Sequence, residues 1–575
     1  MRFHCLGVGS IGSLFATNLA SLPSTQVCLI LRRKDLAAQL YNPVPSTSDA
    51  PASKTPRGTL TIEREGIARR VTGLEMELTR SPSDASDLSA LSTSKSAPRI
   101  DPKYWHRNDP IETLVITTKA PQTLPAIRHL LPRLSSRSTV VLCQNGMGVL
   151  EGLLAKYWPE DRSLEIEDEE ASSGPTKWSS AGGRPSFVCA TTTHGAWRKG
   201  VGHFVYAGVG DVKFGVVPNR AVLRAISNYP EPSWPAPADN PLINPRSLIQ
   251  PTLDHIPFTP STASLHNTVS ALLSLNELRP SWLPLPTLQL AQLQKLAVNT
   301  SVNSLTAVIG VNNGAFVGSQ KAKRLIEAVC RECSMVFAAH VAREEGTWTP
   351  PPASSTADDD SPAVSPSSPA SSSHPPPPPL PDTHPLSAIS LLDYTQRVLF
   401  KTSSNTSSTL QDLLRLQKNT PDTFDLRRNA PSLPSQTEIE YINGYVVALG
   451  RRYGIDTPTV KALGEMVLLK EEMGRVGAID RVWESRKKAV TPPRAPTPPP
   501  VSAPSPNASS SSSKDRQSRS TSPSPRCSSP SPSSKTRAHD RAAEFQQHKR
   551  ETEGRAQVKE GERIKRRQER EQRGG

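Results

Sequence analysis

The chain has 575 residues, of which 35% are hydrophobic and 57 are proline, and its net charge is +15. This length allows two or three domains with sizeable cores, although long proline- and serine-rich stretches exclude one uniformly folded body. Residues 486–575 hold 21 Lys or Arg against 9 Asp or Glu, so this tail carries +12 of the charge and the remaining body is nearly neutral.

No apolar run is long enough to span a bilayer, and the first strand is predicted at Arg2 or Phe3, which leaves no room for a presequence. We therefore expect a cytoplasmic protein and leave a mitochondrial location open. Among seven cysteines, Cys330 and Cys333 form a CxxC, but no second pair has zinc-site spacing. This pattern favours reduced thiols on a helix and no metal site.

Residues 1–217 alternate short apolar strands with helical or loop segments, as in a parallel sheet of the Rossmann type. Strands are predicted at 3–8, 26–32, 113–118, 139–144 and 186–192. Two further strands within 203–217 are predicted to pair as a hairpin that closes the domain. Long loops are expected near 43–58, 78–107 and 159–185.

The glycines of GVGSIG (residues 7–12) directly follow the first strand and open a helix. They suit a tight turn, the close approach of a pyrophosphate, and close packing of helix on strand. The second strand ends in Leu31-Arg32-Arg33-Lys34, where an enzyme that uses NAD would carry an acidic residue. The basic residues predict binding of NADPH through its 2′-phosphate. The alternative for the glycines is a turn that is glycine-rich by chance, and the alternative for the basic residues is a solvated loop.

From residue 218 to residue 485 the pattern becomes helical and predicts an all-helical substrate domain. Helices are expected at 287–308, 320–346, 386–400, 407–418, 436–453 and 458–477. The Pro- and Ser-rich span 349–385 cannot bury a core and is predicted to be a disordered insertion, and 486–575 a disordered basic tail.

Lys295, Asn299 and Asn303 recur at steps of four and would line one face of a helix among apolar residues. An ammonium beside two carboxamides can hold a small oxygen-rich molecule and supply a proton. The alternative for Lys295 is a surface lysine whose aliphatic stem packs on the protein while its ammonium stays in water. The alternative for Asn299 is a structural hydrogen bond between two helices. His194, at a strand end, is expected to be a structural residue bonded to the backbone.

Seven blocks of the sequence occur in the order found in ketopantoate reductases, and the chain resembles a fungal-type member of that family. The blocks are GVGSIG, TTKAPQ (117–122), QNGMG (144–148), TTTHGAWRKG (191–200), KLAVNTSVNSLTA (295–307) with NNG (312–314), SSTLQD (407–412) and TEIEYINGY (437–445).

The resemblance implies NADPH-dependent reduction of 2-dehydropantoate to (R)-pantoate, the step before pantothenate and coenzyme A. It also implies roles for individual residues. Those for the cofactor are Gly7, Val8, Gly9, Ser10, Ile11 and Gly12 at the pyrophosphate, Arg32 at the 2′-phosphate, and Lys119, Asn145, Ala196 and Glu438 along the rest of the molecule. Lys295 would donate the proton, and the substrate would bind Asn145, Lys295, Asn299, Asn303, Asn313 and Ser408.

The sequence departs from the family near the substrate end of the site. An extra segment spans 412–436, and Thr409 replaces a methionine common in the family. Reduction of another branched 2-oxo acid therefore stays open. A second alternative also stays open, namely that the protein is a non-catalytic relative that binds RNA or protein through its tail. The tail, however, has few aromatic residues for stacking on bases. We expect the protein to bind a small-molecule substrate and no nucleic acid, and to be a monomer or a homodimer.

Overall fold

The computed structural model describes residues 1–41, 55–79, 105–159, 183–227, 240–242, 249–350, 377–418 and 437–490. Within these ranges the N-terminal half is built on a sheet and the C-terminal half is helical, so the predicted α/β class is confirmed. Most of the predicted insertion 349–385 and nearly all of the predicted tail 486–575 lie outside the described residues. None of the described helices combines the length and apolar character needed to cross a membrane.

The sheet of the described residues contains eleven strands. They are β1 (Arg2–Leu6), β2 (Gln26–Leu31), β3 (Arg57–Arg64), β4 (Ile67–Leu78), β5 (Thr113–Ile116), β6 (Thr139–Leu142), β7 (Ser186–Thr192), β8 (Gly195–Gly200), β9 (His203–Gly208), β10 (Val212–Val217) and β11 (Pro280–Trp282). Their order is β11-β10-β7-β6-β5-β1-β2-β4-β3-β9-β8. The six strands from β7 to β4 pair in parallel. The chain reverses direction across the sheet between β1 and β5, where doubly wound folds bind nucleotides.

One group of helices packs on the two faces of this sheet. A second group, later in the chain, forms the helical half. Those on the sheet are α1 (Ser10–Leu19), α2 (Lys34–Leu40), α3 (Ala120–Ile127), α4 (Val149–Tyr157), α5 (Arg220–Ser227) and α6 (Ala263–Leu273). The helical half contains α7 (Leu285–Val298), α8 (Ser304–Ile309), α9 (Gln320–Glu344), α10 (Ala388–Lys401), α11 (Ser408–Lys418), α12 (Ile439–Tyr453) and α13 (Pro458–Val490). The predicted helices therefore agree with the structure, except that 287–308 is interrupted at Asn299–Asn303 and that α13 continues past the expected end at residue 477. The prediction that 218–485 is all-helical is wrong at β11, because this short strand pairs with β10 at the edge of the sheet.

The hairpin predicted within 203–217 is wrong. β9 pairs with β8 and β3, whereas β10 pairs with β7 and β11. Only residues 209–211 join β9 to β10, although the two strands lie toward opposite ends of the strand order. Four residue steps span at most about 14 Å, so the sheet must curl until its two ends approach each other. Local alternation identified both strands but carried no information about their partners.

A hairpin that the sequence analysis did not predict is formed by β3 and β4. Glu65 and Gly66 at its tip have φ of 52° and 82°, which is the type I′ geometry that matches the twist of paired strands. The alternating residues of 57–64 were the available signal.

Residues between the sheet and α7 belong to the core of the sheet half. Val222, Leu265 and Trp282 are buried in the same apolar cluster as Phe3 of β1 and Phe15 of α1. We therefore propose that the boundary between the two halves lies near residue 283, with the nucleotide-binding half extending beyond the residue 217 expected from the sequence.

Candidate active site

The glycine turn between β1 and α1 has the shape expected for a nucleotide site. A Cβ added at Gly12 would lie 2.0 Å from the carbonyl oxygen of Gly7, so this residue packs the helix tightly on the turn. Gly7 has φ of +100°, which favours glycine. At Gly9, by contrast, a Cβ would meet no protein atom within 4 Å. Gly9 therefore faces open space beside the N–H groups that begin α1, where an anion is favoured.

Basic side chains lie near the end of β2. Arg32 follows β2 and is exposed, and neighbouring Arg33 is paired with Asp35. Burial and the positive charges of Arg33 and Arg415 lower the pKa of Arg198 on β8. Because like charges oppose one another here, a bound anion would relieve the repulsion. Arg198 and Arg415 were not predicted, because only folding brings β8 and α11 toward the end of β2.

Lys295 lies in the cleft between the two halves of the molecule. Its Nζ donates hydrogen bonds to Asn145 Oδ1 at 3.1 Å, Thr191 Oγ1 at 3.1 Å and the carbonyl oxygen of Thr192 at 2.8 Å. Burial lowers the pKa of this ammonium, although the charge of Glu438 opposes the shift. The lysine is thus held by neutral acceptors at the carboxyl ends of β6 and β7 and is not a solvated surface charge.

Asn145 connects Lys295 to Glu438. Its Oδ1 accepts from Lys295, and its Nδ2 donates to Glu438 Oε2 at 3.3 Å. Glu438 Oε1 in turn accepts from the backbone N–H of Ala120 at 3.2 Å, and burial raises the pKa of this carboxyl. Lys119 forms an ion pair with Asp412 of α11. The structure therefore brings Lys295, Asn145 and Glu438 into one hydrogen-bonded chain.

Asn299 and Asn303 follow Lys295 along the same helix, but not as a regular α-helix. The predicted helix 287–308 is interrupted by one turn of π-helix, Asn299–Asn303, and such turns are frequent at functional sites. Asn303 Nδ2 donates to Asn299 Oδ1 at 3.2 Å, so the two carboxamides remain adjacent. Asn299 and Lys295 both line a small, partly open cavity.

The remaining predicted substrate residues lie farther along the helical half. Asn313 is buried and its Nδ2 donates to Thr402 Oγ1 at 2.9 Å, but within the described part of the chain its Oδ1 has no partner. Ser408 is the exposed first residue of α11, and the cap of that helix is Ser407, whose Oγ accepts from the N–H of Leu410 at 3.3 Å. Ala196 lies on β8, two residues after His194.

His194 is confirmed as a structural residue. Its Nδ1 accepts from the N–H of Gly210 at 2.8 Å and lies 2.9 Å from the hydroxyl of Tyr206, while Nε2 is 3.0 Å from the carbonyl oxygen of Leu278. Burial lowers its pKa, which favours the neutral ring. Cys330 and Cys333 lie on α9 as free thiols, as predicted, and both are buried.

Several residues of the cleft were not identified from the sequence. Thr191 and Thr192 accept hydrogen bonds from Lys295, and Gln144, Met147 and Gln292 line the same cavity. Residues 144 and 147 lie in the loop that had already provided Asn145, and 292 lies three residues before Lys295, so the helical spacing was the available signal.

Comparisons with known proteins agree with this geometry. A family model described as ketopantoate reductase PanE/ApbA matches residues 59–219, and a second, described as ketopantoate reductase PanE/ApbA C terminal, matches 287–420 and 434–471. A probable 2-dehydropantoate 2-reductase of Schizosaccharomyces pombe is 27% identical over 82% of this chain and 96% of its own length. The 2-dehydropantoate 2-reductase of Yersinia pestis is 25% identical over 66% of this chain and 80% of its own.

A ketoisovalerate reductase, BEA2 of Gibberella fujikuroi, is also similar, with 26% identity over 54% of this chain and 53% of its own length. The two family models together cover more than half of the chain and include both halves of the cleft. The chain therefore belongs to the ketopantoate reductase family and is an oxidoreductase that works with a nicotinamide cofactor.

Proposed function

We propose that this protein reduces 2-dehydropantoate to (R)-pantoate with NADPH, in pantothenate biosynthesis. The observation that carries the proposal is the ammonium of Lys295, held by Asn145, Thr191 and Thr192 beside a small polar cavity. The open space at Gly9 and the start of α1 fit a pyrophosphate. When bound, the reduced nicotinamide supplies the hydride.

Lys295 is proposed as the group that completes the reduction. As the ketone carbon accepts a hydride, negative charge develops on its oxygen, and the ammonium stabilises that charge and transfers a proton to form the hydroxyl. Asn145 fixes the position of Nζ, since its own carboxamide is oriented by Glu438.

The carboxamides of the helical half are proposed to bind the substrate. Asn299 and Asn303 can each donate and accept, which suits a molecule with hydroxyl, ketone and carboxylate oxygens. The unpaired Oδ1 of Asn313 would accept a hydrogen bond from a hydroxyl group, because a buried acceptor without a donor is costly. Ser408 is exposed and would bind only if α11 forms part of the closed site.

Replacing Arg32 with alanine is expected to raise the KM for NADPH by about 10- to 150-fold, equal to the 1.5–3 kcal/mol typical of a charged hydrogen bond. The KM for NADH should hardly change, because NADH lacks the 2′-phosphate. Steady-state kinetics with both cofactors measure the effect. Arg33→Ala is the matched control and should have a smaller effect, since Arg33 already pairs with Asp35. Equal losses with both cofactors would count against a phosphate role for Arg32.

Gly9→Ala is expected to raise the KM for NADPH at least tenfold, about 1.4 kcal/mol, without lowering stability. The backbone of Gly9 has φ of −86°, which alanine tolerates, and the new methyl group points into the space required by the pyrophosphate. Thermal unfolding and cofactor titration separate the two effects. Gly12→Ala is the contrasting variant, because its methyl group collides with Gly7 and should destabilise the protein. Unchanged NADPH affinity in Gly9→Ala would place the cofactor elsewhere.

The direct test of the proposed function is oxidation of NADPH by the purified protein with 2-dehydropantoate, alongside 3-methyl-2-oxobutanoate. The relative named ketoisovalerate reductase makes the second acid the main alternative substrate. A higher kcat/KM with the second acid would reassign the substrate, and no oxidation with either would favour a non-catalytic relative. A cytoplasmic location and a monomer or homodimer remain predictions.

A further inference from the structure

A second cavity adjoins the one at Lys295. This second chamber is partly open to solvent. It is lined mainly by apolar residues of the sheet half together with the start of α7, and its polar lining residues are Gln144, Glu151, Gln289 and Gln292. Gln144, Gly146, Met147 and Gln292 line both cavities and form the partition between them. Three of these four, Gln144, Met147 and Gln292, have long unbranched side chains that can change rotamer, so the partition can open.

One face of α7 and the turn that follows it lines both cavities. Leu285, Gln289 and Gln292 line the second chamber, and Gln292, Lys295 and Asn299 line the first. These residues are spaced at steps of four, three, three and four, which places them in one row along a helix. The row leads from the start of α7 to the proton donor. The two cavities are therefore parts of one cleft.

The chemistry of the second chamber differs from that of the first. Its lining includes Val149, Ala190 and Val217, with glutamine amides at the partition. Glu151 is its one ionisable carboxyl, and none of the residues lining it is Lys, Arg or His. A neutral aliphatic group would be favoured there, whereas a second carboxylate would lose water without gaining a cation.

We propose that the second chamber receives the side chain of 2-oxo monocarboxylic acids longer than 2-dehydropantoate, and that dicarboxylic acids are excluded. The 2-oxo carboxylate group stays at Lys295 and Asn299, and the aliphatic tail passes Met147 and Gln292. The inference rests on the proposed function for its reaction and adds the class of substrate. Each buried methylene is expected to raise kcat/KM about fourfold, because it contributes about 0.8 kcal/mol.

The test is a series of straight-chain acids, 2-oxobutanoate, 2-oxopentanoate, 2-oxohexanoate and 2-oxooctanoate, with NADPH and the full-length protein. We expect kcat/KM to rise along the series. The dicarboxylate 2-oxoglutarate, which has the same chain length as 2-oxopentanoate, should be at least tenfold poorer. A flat or falling series, or equal reduction of those two acids, would overturn the proposal.

Val217→Phe narrows the second chamber. It should therefore remove the preference for the longer acid, so that kcat/KM for 2-oxooctanoate no longer exceeds kcat/KM for 2-oxobutanoate. Val201→Phe is the matched control, since Val201 is 42% exposed in the turn between β8 and β9, and it should keep the preference. An unchanged preference in Val217→Phe would refute the assignment of the chamber.

The same experiments distinguish this inference from the proposed function. Reduction of the long acids without reduction of 2-dehydropantoate would reject the proposed substrate and support the chamber. Reduction of 2-dehydropantoate without any gain along the series would do the opposite. If no acid is reduced, calorimetric binding of 2-oxooctanoate in the presence of NADPH still tests the chamber. Tight binding to the wild-type protein, weakened by Val217→Phe, would support the assignment of the chamber. No binding, or binding that Val217→Phe leaves unaltered, would refute it.

Discussion

Replacing Lys295 with alanine is expected to lower kcat by about 100- to 10,000-fold, the usual contribution of general acid catalysis. The ammonium is held by three acceptors at 2.8–3.1 Å, and alanine would leave neither a positive charge nor a proton at that position. NADPH binding should change little, because the glycine turn remains intact. Single-turnover measurements with a saturating 2-oxo acid would separate the loss in the chemical step from any loss in binding.

The pH dependence of the wild-type protein provides an independent check on Lys295. Burial moves the pKa of the lysine below its ordinary value of 10.5. A general acid acts only when protonated, so reduction should be fastest below this pKa and should decline as the pH rises through it. Oxidation of (R)-pantoate should show the reverse trend, since it requires the neutral amine.

Lys295→Arg is the informative companion variant. Arginine keeps the positive charge but does not release a proton at accessible pH, so kcat should still fall while the alkaline decline disappears. Near-normal kcat in either variant would remove Lys295 from the mechanism.

Arg133→Ala is expected to lower the free energy of unfolding by about 3–5 kcal/mol, the usual effect of leaving a buried charge without its partner. Arg133 Nη1 lies 2.7 Å from Glu77 Oε1, and the two side chains are only 8% and 2% exposed. Its Nε also donates to the carbonyl oxygen of Asp109 at 2.8 Å. The pair connects β4 to the segment before β6, so its loss would weaken the sheet. Urea denaturation followed by fluorescence would measure the difference.

A double variant, Glu77→Leu with Arg133→Met, is the control for this ion pair. Replacing both charges with apolar groups of similar volume removes the unpaired carboxylate and should restore much of the lost stability. A loss below about 1 kcal/mol in Arg133→Ala would mean that water or another group compensates Glu77.

The features that the sequence predicted well are those with a local signal. The strand, glycine turn and helix at residues 1–19 lie next to one another in the chain, and each glycine has a conformational or steric reason to be there. The helices from 285 onward were recognisable because their apolar residues recur with helical spacing. The family resemblance rests on short blocks of the same kind.

The details of the site depended on contacts between residues far apart in sequence. The acceptors for Lys295 come from Asn145 and β7, about 100 to 150 residues away, and periodicity carries no information about such pairs. The π-helical turn at Asn299–Asn303 also changes the spacing that a regular helix would give. The predicted hairpin failed for the same reason, because strand partners follow from the whole sheet.

The amino-acid sequence by itself determined the fold class, the nucleotide turn and the identity of the lysine at the centre of the cleft, because these depend on neighbouring residues and on fixed spacing. Only the tertiary structure decided which groups hold that lysine, how the sheet curls, and that a second chamber adjoins the first cavity. These features arise where distant segments pack together, and burial then sets the pKa values and the space available to a substrate.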